Sequence, residues 1–124
     1  MQKTARSTLA AAGTLAIVLG GFVITPNIVS AAEASAVEEG KRIAFHRAKG
    51  NCLSCHKIAG GSQPGNIGPA LVNMKARFAD KAKLRAQIYD ATASNPNTIM
   101  PPFGKHKILS KSELDKVVEF IYTL

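Results

Sequence analysis

The sequence predicts an all-α fold. No segment sustains the apolar–polar alternation of a half-buried strand. Two S-x-x-E capping boxes, Ser35-Ala36-Val37-Glu38 and Ser110-Lys111-Ser112-Glu113, mark helix starts. After the second box, Leu114, Val117, Val118 and Ile121 recur at i, i+3, i+4, i+7, one apolar stripe of a helix.

The chain has 124 residues, with 16 Lys+Arg against 8 Asp+Glu, a formal charge of +8. It has two cysteines, no tryptophan and 46% hydrophobic residues. Its mean hydropathy of +0.04 is too high for a disordered chain. These values allow one small domain and exclude a multidomain enzyme, a disulfide-stapled miniprotein and a polytopic membrane protein.

The first residues read as an export leader rather than as part of the fold. Lys3 and Arg6 form a charged start without an acid, and Leu9 to Ile24 is apolar apart from glycines and Thr14. Thr25-Pro26-Asn27 breaks the run, and Ser30, Ala31 and Ala32 supply small residues for cleavage. Cleavage is expected after Ala31 or Ala32, with Ala36 a weaker choice. The competing reading, an uncleaved anchor, has only 16 apolar-rich residues, short of the ~20 needed to span a bilayer. The division is therefore 1–32 leader and 33–124 domain, and the domain is expected in the periplasm.

Within that domain the first helix is expected from the Ser35 box, with Val37, Ala44 and Ala48 on one face and Gly50 as its end. Residues 59–70, rich in glycine and proline, are loop, and the absence of G-K-[ST] excludes a phosphate loop. A short helix is expected over Leu71–Phe78. Another should run from about Lys81 to Thr92, with Asp80 as N-cap, Leu84 and Ile88 inward and Pro96 beyond its end. The last helix follows Ser110.

A domain of about 92 residues buries only about 60–65% of its unfolded surface and usually needs a staple. Cys52-Leu53-Ser54-Cys55-His56 provides one: C-x-x-C-H is the signature of covalent c-type haem attachment. Two thiols three residues apart reach two vinyl groups on one porphyrin edge, and the adjacent histidine swings under the ring to bind iron. A zinc site would need a second ligand pair, and a thioredoxin-like site a βαβ setting; neither is present in the sequence. Cys52 and Cys55 are thus the expected thioether residues and His56 the expected iron ligand, with one haem c per chain.

For the second axial ligand the candidates are Met74, Met100, His46 and His106. Met74 shares an apolar stripe with Leu71 and Phe78, which reads as core. His46 sits inside the first expected helix, and His106 is flanked by Lys105 and Lys107. Met100 precedes Pro101-Pro102, so its backbone is extended and stiffly held. Met100 is the expected ligand, and thioether/imidazole ligation raises the reduction potential.

The order of features resembles the class I cytochromes c: a helix with Gly40 and Phe45, the haem motif, Gly68-Pro69, Met100-Pro101, and a last helix with Phe120 and Tyr122. The resemblance implies that the terminal helices cross through Gly40 and those aromatics, and that the Pro69 carbonyl accepts the Nδ1–H of His56. Gly65-Asn66-Ile67-Gly68-Pro69 and Met100-Pro101-Pro102-Phe103-Gly104 in one chain narrow it. With Gly50-Asn51, Arg77-Phe78, Asn95-Pro96 and Ile108-Leu109-Ser110, they are similar over residues 38–124 to SoxX, the monohaem subunit of the SoxAX cytochromes of bacterial thiosulfate oxidation.

That resemblance implies a heterodimer with a SoxA-like, haem-bearing subunit, in an L-cysteine S-thiosulfotransferase that joins thiosulfate to a cysteine of a carrier protein. Electrons then pass to a soluble cytochrome c. No catalytic residue for sulfur chemistry is expected in this chain, because haem attachment uses both thiols. Lys57, Lys75, Arg77, Lys105 and Lys107 either steer an acidic partner or form an ordinary solvated surface. The alternative function is a freestanding periplasmic electron shuttle. A ligand-exchanging, peroxidase-type haem enzyme is disfavoured by the Pro-Pro brace, and nucleic acid binding by export.

Overall fold

Residues 28–124 are described by the computed structural model, with side chains from Ala31. The leader expected at 1–32 therefore lies outside the described residues as far as Asn27. The elements are α1 (Ile28–Phe45), a 3₁₀ turn (Cys52–Ser54), α2 (Met74–Arg77), α3 (Lys81–Tyr89), a second 3₁₀ turn (Ala91–Ala93) and α4 (Lys111–Tyr122). No strand occurs among the described residues.

The frame is the packing of α1 on α4. The α4 stripe is buried, Leu114, Val117, Val118 and Ile121 each being at most 3% exposed, together with Ile43 and Ala44 of α1. Gly40 lets the helices touch backbone to backbone: a Cβ there would lie 1.9 Å from the Lys116 carbonyl oxygen. Phe45 and Phe120 meet edge to face with centroids 5.8 Å apart, a favoured aromatic geometry. Tyr122 faces the α2–α3 junction, donating to the Ala79 carbonyl at 3.4 Å beneath the Lys75 and Lys81 ammonium groups. Leu84 and Ile88 point inward from α3 as expected, and Asp80 caps it by accepting from Ala82 N at 2.8 Å.

Local expectations are corrected at both ends of α1, over Leu71–Phe78, and at the end of α3, expected at about Thr92. Ser35 caps nothing, because α1 begins seven residues before it; the Ala-rich run 31–36 is good helix former and continues the helix past the box. The end of α1 comes at Phe45, so Ala48 is exposed and off the helix. Gly50 does not stop the helix but folds back on it, its N–H donating to Ile43 O at 3.2 Å, where a Cβ would sit 2.9 Å from that oxygen. The helix expected over Leu71–Phe78 shrinks to α2, since Asn73 is left-handed at φ 52° and starts it late. Helix α3 ends at Tyr89 because the Asp90 carboxylate takes over, accepting from Thr92 N at 3.1 Å and opening the next turn.

The second capping box forms in full. Ser110 N donates to Glu113 Oε2 at 2.9 Å, and Glu113 N donates to Ser110 Oγ at 3.2 Å. The other carboxylate oxygen accepts from Lys49 Nζ at 2.6 Å, tying the start of α4 to the segment just before the haem motif. The Lys49 hydrogen bond, with those from Ser110, lowers the Glu113 carboxyl to about 2. A depressed folded-state value means that this contribution is present above about pH 4.5 and is lost as pH falls toward 2. Thermal melts should therefore show wild type losing more stability between about pH 5 and pH 2 than Glu113→Gln; parallel curves would contradict the assignment.

Candidate haem site

Asn51 is left-handed at φ 46° and turns the chain into Cys52–Ser54. Ser54 N donates to Asn51 O at 3.0 Å, while Cys55 N and His56 N both donate to Cys52 O, at 3.3 and 2.9 Å. One tight turn thus carries both thiols and delivers His56 directly after them. Cys52 and Leu53 pack against the main core. Burial against that core pushes the Cys52 thiol up to about 11.

The glycine-rich loop is laced onto this turn. Gly65 N donates to Leu53 O at 2.7 Å, Gly68 N to Cys55 O at 2.9 Å and Leu71 N to Lys57 O at 2.9 Å. Approach is so close that a Cβ on Gly65 would lie 2.0 Å from Ser54 O, and one on Gly68 2.4 Å from His56 Cε1. The loop backbone therefore lies flat against the imidazole. His56 Nδ1 donates to Pro69 O at 2.7 Å. A carbonyl only accepts, so Nδ1 carries a proton, and Nε2 is the ring nitrogen left to bind iron. The fit to an iron porphyrin is good: two thiols on one turn, and an imidazole oriented through Nδ1 so that Nε2 is the atom left for iron.

Met100 comes from a separate loop, between the second 3₁₀ turn and α4. Its N–H donates to Thr98 Oγ1 at 3.2 Å, and its half-buried side chain packs on the same core as Cys52, Leu53 and Phe78. Downstream the loop is clamped to the end of α3: Gly104 N and Lys105 N both donate to Tyr89 O at 3.1 Å, and Lys105 Nζ meets Asp90 Oδ2 at 2.8 Å. Gly104 lies on the Tyr89 ring, where a Cβ would be 2.0 Å from Cδ2. The Lys105 hydrogen bond holds the Asp90 carboxyl below its usual range. Phe103 is buried and Leu109 N returns to its carbonyl at 3.0 Å.

The other candidates sit elsewhere. Met74 is 2% exposed in the core. His46 lies just past α1 rather than inside it, exposed, with Nδ1 accepting from Ala48 N at 3.1 Å. His106 is exposed, its N–H bound to Pro102 O.

An imidazole presented in this way next to two thiols is the arrangement of a c-type cytochrome. Comparison with known families agrees: the model described as cytochrome c oxidase, cbb3-type, subunit III matches residues 35–121, and the chain belongs to that family of cytochrome c domains. The fold is the all-helical class I cytochrome c fold, and the cofactor is one covalently bound haem c. Such a domain transfers electrons. No curated protein gives a significant match to the chain. No described helix is long and apolar enough to cross a membrane.

Sequence reasoning missed how the loops are held. The signal for Gly65, Gly68 and Gly104 was their spacing beside the motifs; their role depends on backbone approach that a composition count cannot reveal. Gly68→Ala would drive a methyl group into an imidazole that is tethered at Nδ1. The haem-loaded variant should lose about 1–3 kcal/mol of stability in chemical denaturation, as overpacking does; an unchanged midpoint would contradict the close approach.

Proposed function

We propose that this chain is the electron-accepting, SoxX-like subunit of a two-chain complex that joins thiosulfate oxidatively to a carrier-protein cysteine. The observation that carries the reading is the pair of loops Gly65–Pro69 and Met100–Gly104 in one cytochrome c domain. In the proposed site Cys52 and Cys55 hold the haem, His56 and Met100 are the axial ligands, and Pro69 orients His56. Thioether ligation raises the reduction potential, which suits an acceptor.

Joining thiosulfate to a cysteine thiol forms one sulfur–sulfur bond and releases two electrons and one proton. The bound haem supplies one-electron redox chemistry, so this chain takes the electrons singly and hands each to a soluble cytochrome c. Sulfur chemistry belongs to the partner, a SoxA-like subunit with its own haem, because Cys52 and Cys55 are this chain's only cysteines. The complex works in the periplasm after removal of residues 1–32. Cleavage at Ala31 or Ala32 fits the exposure of residues 31–35, since packing on the core begins at Val37.

A freestanding shuttle is the second reading, favoured by the exposed cations Lys57, Lys75 and Lys107. Purification from a thiosulfate-grown source separates the two. The proposal expects a stable complex with a second haem-bearing chain, and reduction of this haem by thiosulfate plus carrier protein only in that complex. A monomer, with strongly salt-dependent electron exchange and no stable partner, would overturn it.

A further inference from the structure

We infer that Arg77 is a positioning residue for the haem-binding imidazole. The segment that orients His56 has little apolar burial to hold it: Pro69 and Ala70 are both exposed. Hydrogen bonds must fix it instead. Pro69 O accepts from His56 Nδ1 at 2.7 Å. The next peptide is held at both ends, Leu71 N donating to Lys57 O at 2.9 Å and Ala70 O accepting from Arg77 Nη1 at 2.9 Å.

Arg77 is itself anchored. It is the last residue of α2, and the same Nη1 lies 3.2 Å from the sulfur of Met74, which is 2% exposed. The guanidinium therefore links a fixed core methionine to the one exposed peptide adjoining the His56 acceptor. Without it, the Ala70 carbonyl loses its tie to α2, residues 69–70 are held only through their flanks at Gly68 and Leu71 and the bonds to residues 56 and 57, and the Pro69 carbonyl can shift away from Nδ1. Arg77 hydrogen-bonds to Ala70 and Met74 rather than to His56 or Met100, and it acts through Ala70 and Pro69.

The inference rests on His56 as an iron ligand, which the visible spectrum of the wild-type haem protein reads on its own. The test follows the His56 Nδ1 proton by NMR in the reduced, haem-loaded protein, alongside the reduction potential. Arg77→Gln should speed exchange of that proton about tenfold, the effect of losing one hydrogen bond to a charged group, and shift the potential. Arg77→Lys, whose ammonium can still reach one carbonyl, should restore most of the protection. Lys75→Gln removes the same charge from the same helix and should leave exchange unchanged. Far-UV circular dichroism confirms that each variant is folded. Equal exchange and potential in Arg77→Gln and Lys75→Gln would overturn the inference.

Discussion

The hydrogen bond from His56 Nδ1 to the Pro69 carbonyl is the constraint on which the rest of the site depends. In the proposed site, thioether links through Cys52 and Cys55 would place a histidine beside a porphyrin but leave its ring free to rotate. The 2.7 Å bond fixes the ring through its Nδ1 proton and would make Nε2 a stronger donor to iron. Proline suits the acceptor position because its φ is fixed and it has no N–H to satisfy. Gly68 lies flat on the imidazole, and Gly65 lets the loop meet the Cys52–Ser54 turn at backbone distance.

Around that bond the chain uses long-range ties in place of a large core. The helical frame comes from α1 against α4, through Gly40 and the Phe45–Phe120 pair. Glu113 joins the start of α4 to Lys49, three residues before Cys52. Asp90 and Tyr89 hold the far side of the Met100 loop. The part-buried pairs Arg85–Asp115 and Lys81–Glu119 fasten α3 to α4 in the same way. Lys49–Glu113 and the Tyr89 and Asp90 contacts each join a helix end to a segment next to a haem-motif or Met100 residue, so the frame and the site's geometry are coupled.

Much of this was legible where the signal is local. Asp80 and Ser110 cap the helices they precede, the Leu114–Ile121 stripe is buried, and the C-x-x-C-H turn carries its cofactor chemistry in its spacing. Local signals failed where a neighbour overrode them. Ser35 has a capping-box sequence, yet a preceding Ala-rich run carries the helix straight through it. Gly50 resembles a helix stop but serves a close approach to Ile43. Lys49–Glu113 and Arg77–Ala70 join positions with no shared pattern in the sequence, and only the packed chain brings them together.

In the proposed site iron is held between His56 and Met100. Protons over a porphyrin face feel its ring current, so an axial methionine methyl in the reduced, diamagnetic protein resonates far upfield of every other methyl. Selective methyl labelling of the methionines reads this directly. The account predicts that the extreme upfield signal disappears in Met100→Leu while the Met74 methyl stays in the ordinary range. A Met100 methyl at an ordinary shift, or an upfield methyl belonging to Met74, would contradict it.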